Sequence, residues 1–323
     1  MWILGLASSH NGAAALIEDG RVVVAVQAER LTRRMLQCFE LEYMVSEVAA
    51  LIEYCLDYAG IELGEVARIA TCTPWPQIHA SFDEPARRRL CGPGGSLPPF
   101  LSVPHHLAHA EYVVHYCPLD RALVLICDGS GTFEDLRGEL DLEEVVSQDV
   151  EIVHNGAAYD RKESISAYAF EDGDMRLIFR LSSGPAETMR AATDMPRLSL
   201  SFGHLWRWAA RYCFGRSDHA GKVMGLAPYG DPDAHRDLHC LSARSGEDVR
   251  IDFSGLAERF QKPNRERRDV TGEQHYADVS AFVQRETNRF LMELIERLRE
   301  RFATDDLCYS GGVALNSVAN DVV

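Results

Sequence analysis

Residues 2–26, WILGLASSHNGAAALIEDGRVVVAV, decide the fold. Trp2 to Ala7 reads as a strand, and Ser8-Ser9-His10-Asn11-Gly12 as a polar turn containing glycine. Ala13 to Ile17 reads as a second strand. Glu18-Asp19-Gly20 has the composition of a hairpin turn, where backbone of positive φ is needed. Arg21 to Val26 reads as a third strand. Three strands joined by short turns make a β-meander, so the chain does not open on a simple βαβ rhythm. Helical spacing follows at Val48, Leu51, Ile52, Cys55 and Leu56, in a helix read from Met44 to about Tyr58 and ended by Gly60. Ala67 to Cys72 reads as a strand. The mixture predicts an α/β protein.

Outward from this start, residues 73–104 read as loop. They hold Pro74, Pro76, Pro85, Pro98 and Pro99, the glycines Gly92, Gly94 and Gly95, and an Arg87-Arg88-Arg89 run most simply read as a solvated turn. A helix begins near His105, with Pro104 at its first position and Ser102 as cap. Ala122 to Cys127 is a buried-looking strand. The acidic, alternating stretch 133–180 predicts β-hairpins, and a helix is read from about Phe202 to Phe214. Residues 231–272 are polar and carry few periodic signals. The spacing of Val279, Phe282, Val283, Phe290, Leu291, Leu294, Ile295 and Leu298 predicts a long amphipathic helix over about 277–302. Asp306 to Ser310 reads as a short strand.

His105 and His109 are four residues apart, which stacks both imidazoles on one helix face. Two such histidines bind a divalent metal when one carboxylate completes the set. Asp128 is the candidate, because it ends a strand and begins a glycine-rich turn. The plain alternative is a histidine pair on a solvated helix face. Four short polar or glycine segments are each read at a strand end: His10-Asn11-Gly12, Asp128-Gly129-Ser130-Gly131, Gly221 to Gly225, and Gly311-Gly312. Glycine lets backbone N–H groups approach an anion closely. Any one of them alone is read first as an ordinary turn. Together they predict a site that holds phosphate groups between two lobes.

Composition narrows the function classes. The net charge of −16 over 323 residues argues against a nucleic-acid partner, since phosphate neutralisation needs excess Lys and Arg. It argues equally against an anionic membrane surface. The nine cysteines form no Cys-x-x-Cys pair and are odd in number, which reads as reduced, cytoplasmic usage. The start lacks the basic leader of a signal peptide, and no apolar run is long enough for a membrane span.

The motifs in order are Gly5-Leu6-x3-His10-x2-Ala13-Ala14-Ala15, Glu29-Arg30-Leu31-Thr32-Arg33, His105-His106-Leu107-Ala108-His109-Ala110 and Asp128-Gly129. After them come Gly221-Lys222-Val223-Met224-Gly225-Leu226-Ala227-Pro228-Tyr229-Gly230 and Gly311-Gly312-Val313-Ala314-Leu315-Asn316. This series resembles the O-carbamoyltransferases of the nodulation-factor and antibiotic-tailoring type, and the resemblance covers nearly the whole chain. It implies an actin/sugar-kinase/Hsp70-like fold with two α/β lobes: residues 1–120 with the histidine-pair helix, and residues 121–323 on the nucleotide side. It implies transfer of a carbamoyl group from carbamoyl-adenylate to the hydroxyl of a small-molecule acceptor such as a sugar or antibiotic. The adenylate is made from carbamoyl phosphate and ATP by a separate domain or chain.

Carried over, His105, His109 and Asp128 are ligands of Fe(II) or another divalent metal. His10 is the general base, a role typically worth about 10²–10⁴-fold in rate. Gly129, Ser130, Lys222 and Gly225 lie on the phosphate side, and Gly311, Gly312 and Asn316 line the adenosine side. Lys222 is read equally as a solvated lysine. Two positions depart from the family pattern: Asn11 where it has Asp, and Met35 where it has Lys. The family also continues past Gly311-Gly312 to a further metal aspartate and to the adenylate-forming domain, so the second lobe is expected to be incomplete. A non-catalytic nucleotide-binding subunit of the same fold is therefore the competing expectation. A sugar kinase is disfavoured by imidazoles where phosphoryl transfer uses carboxylates. A tRNA threonylcarbamoyl transferase is disfavoured by the acidic surface. Acceptor contacts are expected in residues 73–104 and 133–200.

Overall fold

The computed structural model describes residues 1–7, 11–34, 45–72, 84–129, 131, 151–155, 162–183, 202–242, 250–251, 253–266 and 269–323. They divide into two units, one up to Ala108 and one from His109 onward. His10, Met35 and Ser130 lie outside the described residues, as do the side chain of Ser102 and most of 133–200.

The first unit is built on the meander. Strands β1 (Trp2–Ala7), β2 (Ala13–Glu18) and β3 (Arg21–Gln27) pair antiparallel. The β2–β3 turn is closed by Asp19 at φ 48° and Gly20 at φ 81°, the positive-φ pair a two-residue hairpin demands. A short helix α1 (Ala28–Thr32) and a longer α2 (Val45–Ala59) follow, and Gly60 at φ 69° stops the latter. Strands β4 (Val66–Thr71) and β5 (Phe100–Ser102) extend the sheet in parallel, giving the order β3-β2-β1-β4-β5. Period-two alternation puts Leu4, Leu6, Leu16 and Val24 on one face, where they share a core with Leu51, Ile52 and Cys55 of α2. Each fully buried leucine or isoleucine there is worth about 1.5–3 kcal/mol.

The loop expected over 73–104 contains a helix, α3 (Glu84–Cys91). Pro85 is the reason for the difference. In the first turn of a helix its missing N–H costs nothing, so it marks a start rather than a break. Nor is the arginine run wholly a solvated turn. Arg89 Nε donates to Glu53 Oε1 of α2 at 2.6 Å, and its Nη2 pairs with the other carboxylate oxygen.

The division between units falls within helix α4 (His105–His115), which runs on into the second unit. It begins one residue later than expected: the Pro104 carbonyl accepts its first bond, from Ala108 N at 2.8 Å. The second sheet comprises β6 (Arg121–Cys127), β7 (Glu151–Asn155), β8 (Lys162–Glu171), β9 (Asp174–Ser183) and, after two minor strands β10 (Leu241–Ser242) and β11 (Arg250–Ile251), β12 (Leu307–Ser310). Its order is β12-β6-β8-β9-β7. The expected hairpin exists as β8–β9, but β7 pairs parallel with β9 rather than as a hairpin partner.

Helix α5 (Phe202–Phe214), the seven-residue α6 (Ala220–Leu226), α7 (Phe253–Arg259) and the 28-residue α8 (Gln274–Arg301) accompany this sheet. All eight apolar residues expected on the inner side of α8 are buried. Phe202 meets Phe290 at 4.9 Å between ring centroids, and Trp206 Nε1 donates to Thr287 Oγ1 at 3.1 Å. The segment Gly221 to Gly225 is not a loop at a strand end, as expected, but the body of α6. Glycine spacing alone does not distinguish a turn from a small-residue helix, and Val223 and Leu226 commit the segment by burying one helical face. The chain ends in helix α9 (Ser317–Asn320). No helix among the described residues is long and apolar enough to cross a membrane.

Candidate metal centre

Helix α4 carries His105 and His109 one turn apart, and β6 ends at Cys127 so that Asp128 starts the turn. One ligand atom from each of His105, His109 and Asp128 lies within 4.8 Å of the others. Among the described residues this is the one such cluster of His, Cys, Asp and Glu. All three are partly buried, which lowers the local dielectric without shutting out a substrate.

Each of the three side chains is anchored through one atom, which leaves another turned to the cluster. His105 Nδ1 donates to the Cys72 carbonyl at 3.0 Å, which fixes the tautomer with its lone pair on Nε2. His109 Nδ1 meets Ser310 Oγ at 3.4 Å, while its Nε2 lies 3.6 Å from Asp128 Oδ2. The other carboxylate oxygen, Oδ1, accepts from Gly129 N at 2.6 Å and Gly312 N at 3.3 Å. Two backbone donors on one oxygen hold the carboxylate's orientation. Cys127 precedes Asp128 but supplies no thiolate, because burial holds its thiol far above the ordinary range.

Sequence reasoning named the three clustered side chains and missed the groups that contact them. Cys72 acts through a carbonyl, which leaves no mark in a side-chain pattern. Ser310 lies 201 residues from His109. Gly203, in the first turn of α5, passes so close to the Asp128–Gly129 turn that a Cβ would stand 2.6 Å from Gly129 Cα. Gly312 is equally close, its Cβ position being 2.8 Å from Asp128 Oδ1.

Gly129 and Gly312 thus meet Asp128 directly, while Lys222, Gly225 and Asn316 have other surroundings. Lys222 is exposed on α6, its Nζ 5.8 Å from the centroid of the Phe214 ring, and Gly225 lies one turn on. Among the described residues, nothing beyond the local helix backbone lies within 4 Å of where a Cβ on Gly221 or Gly225 would stand. Asn316 is buried, and both ends of its amide are engaged. Its Oδ1 caps α9 by accepting from Ala319 N at 3.1 Å, and its Nδ2 donates to Gln284 at 3.0 Å.

The two sheets and their order place the chain in the actin/sugar-kinase-like class of α/β folds. The solved structure of T. kodakarensis HypF is similar over 99% of this chain and 43% of that one, with a TM-score of 0.55 at 13% identity. Full-length HypF in a phosphate- and nucleotide-bound form is similar over 99% and 50%, with the same TM-score of 0.55 at 12% identity. The chain belongs to the carbamoyltransferase N-terminus family, which matches residues 94–323. It is 27% identical to nodulation protein NolNO of Sinorhizobium fredii over 335 residues, covering 96% of this chain and 42% of that protein. It is 26% identical to the uncharacterized protein sll1178 of Synechocystis over 372 residues, covering 98% and 51%. Nodulation protein NolO of Bradyrhizobium diazoefficiens is 36% identical over 172 residues, covering 49% and 31%. The chain thus spans about half the length, or less, of the curated relatives it matches.

Proposed function

We propose that this chain carries the group-transfer half of an O-carbamoyltransferase, with a divalent metal held by His105, His109 and Asp128. The observation that carries the reading is the convergence of those three side chains in a chain of the carbamoyltransferase N-terminus family. Two imidazoles and one carboxylate suit Fe(II) and neighbouring divalent ions. When bound, such an ion supplies Lewis-acid polarisation of a carbonyl oxygen.

The chain's own residues account for the rest of the reading. The donor is carbamoyl-adenylate, made from carbamoyl phosphate and ATP by a separate domain or chain, and the acceptor is the hydroxyl of a small molecule such as a sugar or antibiotic. The acceptor oxygen attacks the carbamoyl carbon, the bond from that carbon to the adenylate phosphate oxygen breaks, and AMP leaves. His10 takes the hydroxyl proton. Gly129, Ser130, Lys222 and Gly225 are proposed for the phosphate side. The bound phosphate and nucleotide of the HypF relative by fold support a nucleotide ligand. For Asn316 we propose support of the nucleotide side through its cap, since its amide is already engaged.

The test begins with metal content by elemental analysis, for the wild type and a His105→Ala/His109→Ala variant. Close to one ion per chain, lost in the variant, is expected. The metal-loaded protein is then given carbamoyl-adenylate and a panel of alcohols, with carbamoylated product read by mass spectrometry. Equal metal in the variant, or AMP release without product from every alcohol, counts against the reading.

A further inference from the structure

Gly311 and Gly312 are expected on the adenosine side, and the segment Ser310-Gly311-Gly312 also reaches His109 and Asp128. We infer that Ser310 is a positioning residue for His109, and that Ser310 and Gly312 together clamp the metal centre. The inference rests on the metal reading above.

Three observations carry it. Ser310 Oγ stands 3.4 Å from His109 Nδ1, the ring nitrogen opposite the one that faces Asp128. A hydroxyl there accepts the Nδ1 proton, keeps the lone pair on Nε2 and fixes the ring plane, as outer partners of metal-bound histidines do. Two residues on, Gly312 N donates to Asp128 Oδ1 at 3.3 Å, leaving Oδ2 as the atom turned toward His109. Between them, Gly311 takes φ 100° and ψ 174°, and its Cβ position is 2.3 Å from the Cys127 carbonyl oxygen. Only glycine lets the segment pass that close to the end of β6. The register fixes the approach: Ser310 lies opposite Ile126 in the parallel β12–β6 pair, so the next residues run alongside Cys127 and Asp128. A strand end and a turn therefore reach both ligands from one side, each through a group with no direct bond to the ion.

The inference predicts a metal-affinity defect without a folding defect. Ser310→Ala, Ser310→Thr and wild type are titrated with Co(II) and with Zn(II), followed by visible absorption and by calorimetry. The Tm of each metal-free protein is measured alongside. Loss of an outer partner typically weakens metal binding about 10–100-fold. Ser310→Ala is expected in that range with its metal-free Tm unchanged, and Ser310→Thr, which keeps the hydroxyl, within about threefold of wild type. Gly312→Ala, whose new methyl group meets Asp128 Oδ1, is expected to weaken binding at least as much. Wild-type affinity in Ser310→Ala overturns the inference while leaving the three-ligand reading intact. An equal fall in affinity and metal-free Tm overturns it too, since the role is then structural. A wild type that binds neither ion removes the metal reading, and the inference with it.

Discussion

The Cβ that Gly311 lacks would stand 2.3 Å from the carbonyl oxygen of Cys127, 184 residues earlier in the chain. Its φ of 100° with ψ 174° lies in a region that essentially only glycine occupies. Gly311→Ala therefore meets two penalties, backbone strain of about 1–3 kcal/mol and a backbone contact that must be relieved by moving β12 off β6. A lower urea midpoint and weaker Co(II) binding are expected together. An unchanged midpoint would mean that the turn relaxes freely.

Gly225 is the opposite case. It lies within helix α6, and a Cβ there meets nothing within 4 Å. Glycine costs a helix about 0.5–1 kcal/mol relative to alanine. Gly225→Ala is expected to raise the unfolding free energy measured in urea by that amount. If the same variant binds ATP or AMP more weakly, the open surface at Gly225 is kept for a ligand and not for packing. If binding is unchanged, the phosphate-side assignment of Gly225 fails.

Arg180 and Glu163 form a buried ion pair at 2.7 Å, with side chains 6% and 3% exposed. Breaking such a pair leaves one buried charge uncompensated, at a cost of about 3–5 kcal/mol. Arg180→Ala is expected to lose that much in chemical denaturation. A double variant, Arg180→Met with Glu163→Gln, is expected to recover much of it, because no charge is then stranded. A double variant as unstable as the single one would put the cost in packing instead.

His235 has both ring nitrogens buried, with no hydrogen-bond partner among the described residues, and its ring lies edge-on to Phe260 at 4.8 Å. Burial, and then the nearby Arg259 charge, hold its pKa below the usual histidine value. His219 and His275 shift the same way, also chiefly through burial. The unfolded chain then binds more protons than the folded one once pH falls below about 6.5. The stability from these neutral imidazoles is complete above that pH and is lost as pH drops toward the folded values. His235→Leu is expected to flatten the fall in urea midpoint between pH 7 and pH 5. A slope identical to wild type would remove His235 from the account.

Local rules made part of this molecule legible. The meander could be read because Leu4, Leu6, Leu16 and Val24 alternate on one face, and because Asp19-Gly20 is a turn with a backbone requirement. The histidine pair could be read because helix geometry turns a spacing of four into a shared face, and Asp128 because a strand end was visible. Helix α3 was hidden behind Pro85, whose two roles, breaking a helix and starting one, look alike in sequence. Helix α6 was hidden because its glycines outvoted Val223 and Leu226. The supports of the centre were out of reach for a different reason. The Cys72 carbonyl, Ser310, Gly203 and Gly312 act through backbone atoms or across long separations, and tertiary pairing alone brings them in.

The β12–β6 pairing also fixes when the centre comes into being. Loop closure over nearly two hundred residues is entropically late, and parallel pairing of that separation is slow to form. His105, His109 and Asp128 are all synthesised within the first 128 residues, yet Asp128 is not held from both sides until Gly312 arrives. A growing chain thus displays all three clustered side chains long before Gly312, the second donor to Asp128, is made. Of the described strands in that sheet β12 is made last, and it leads directly to that donor.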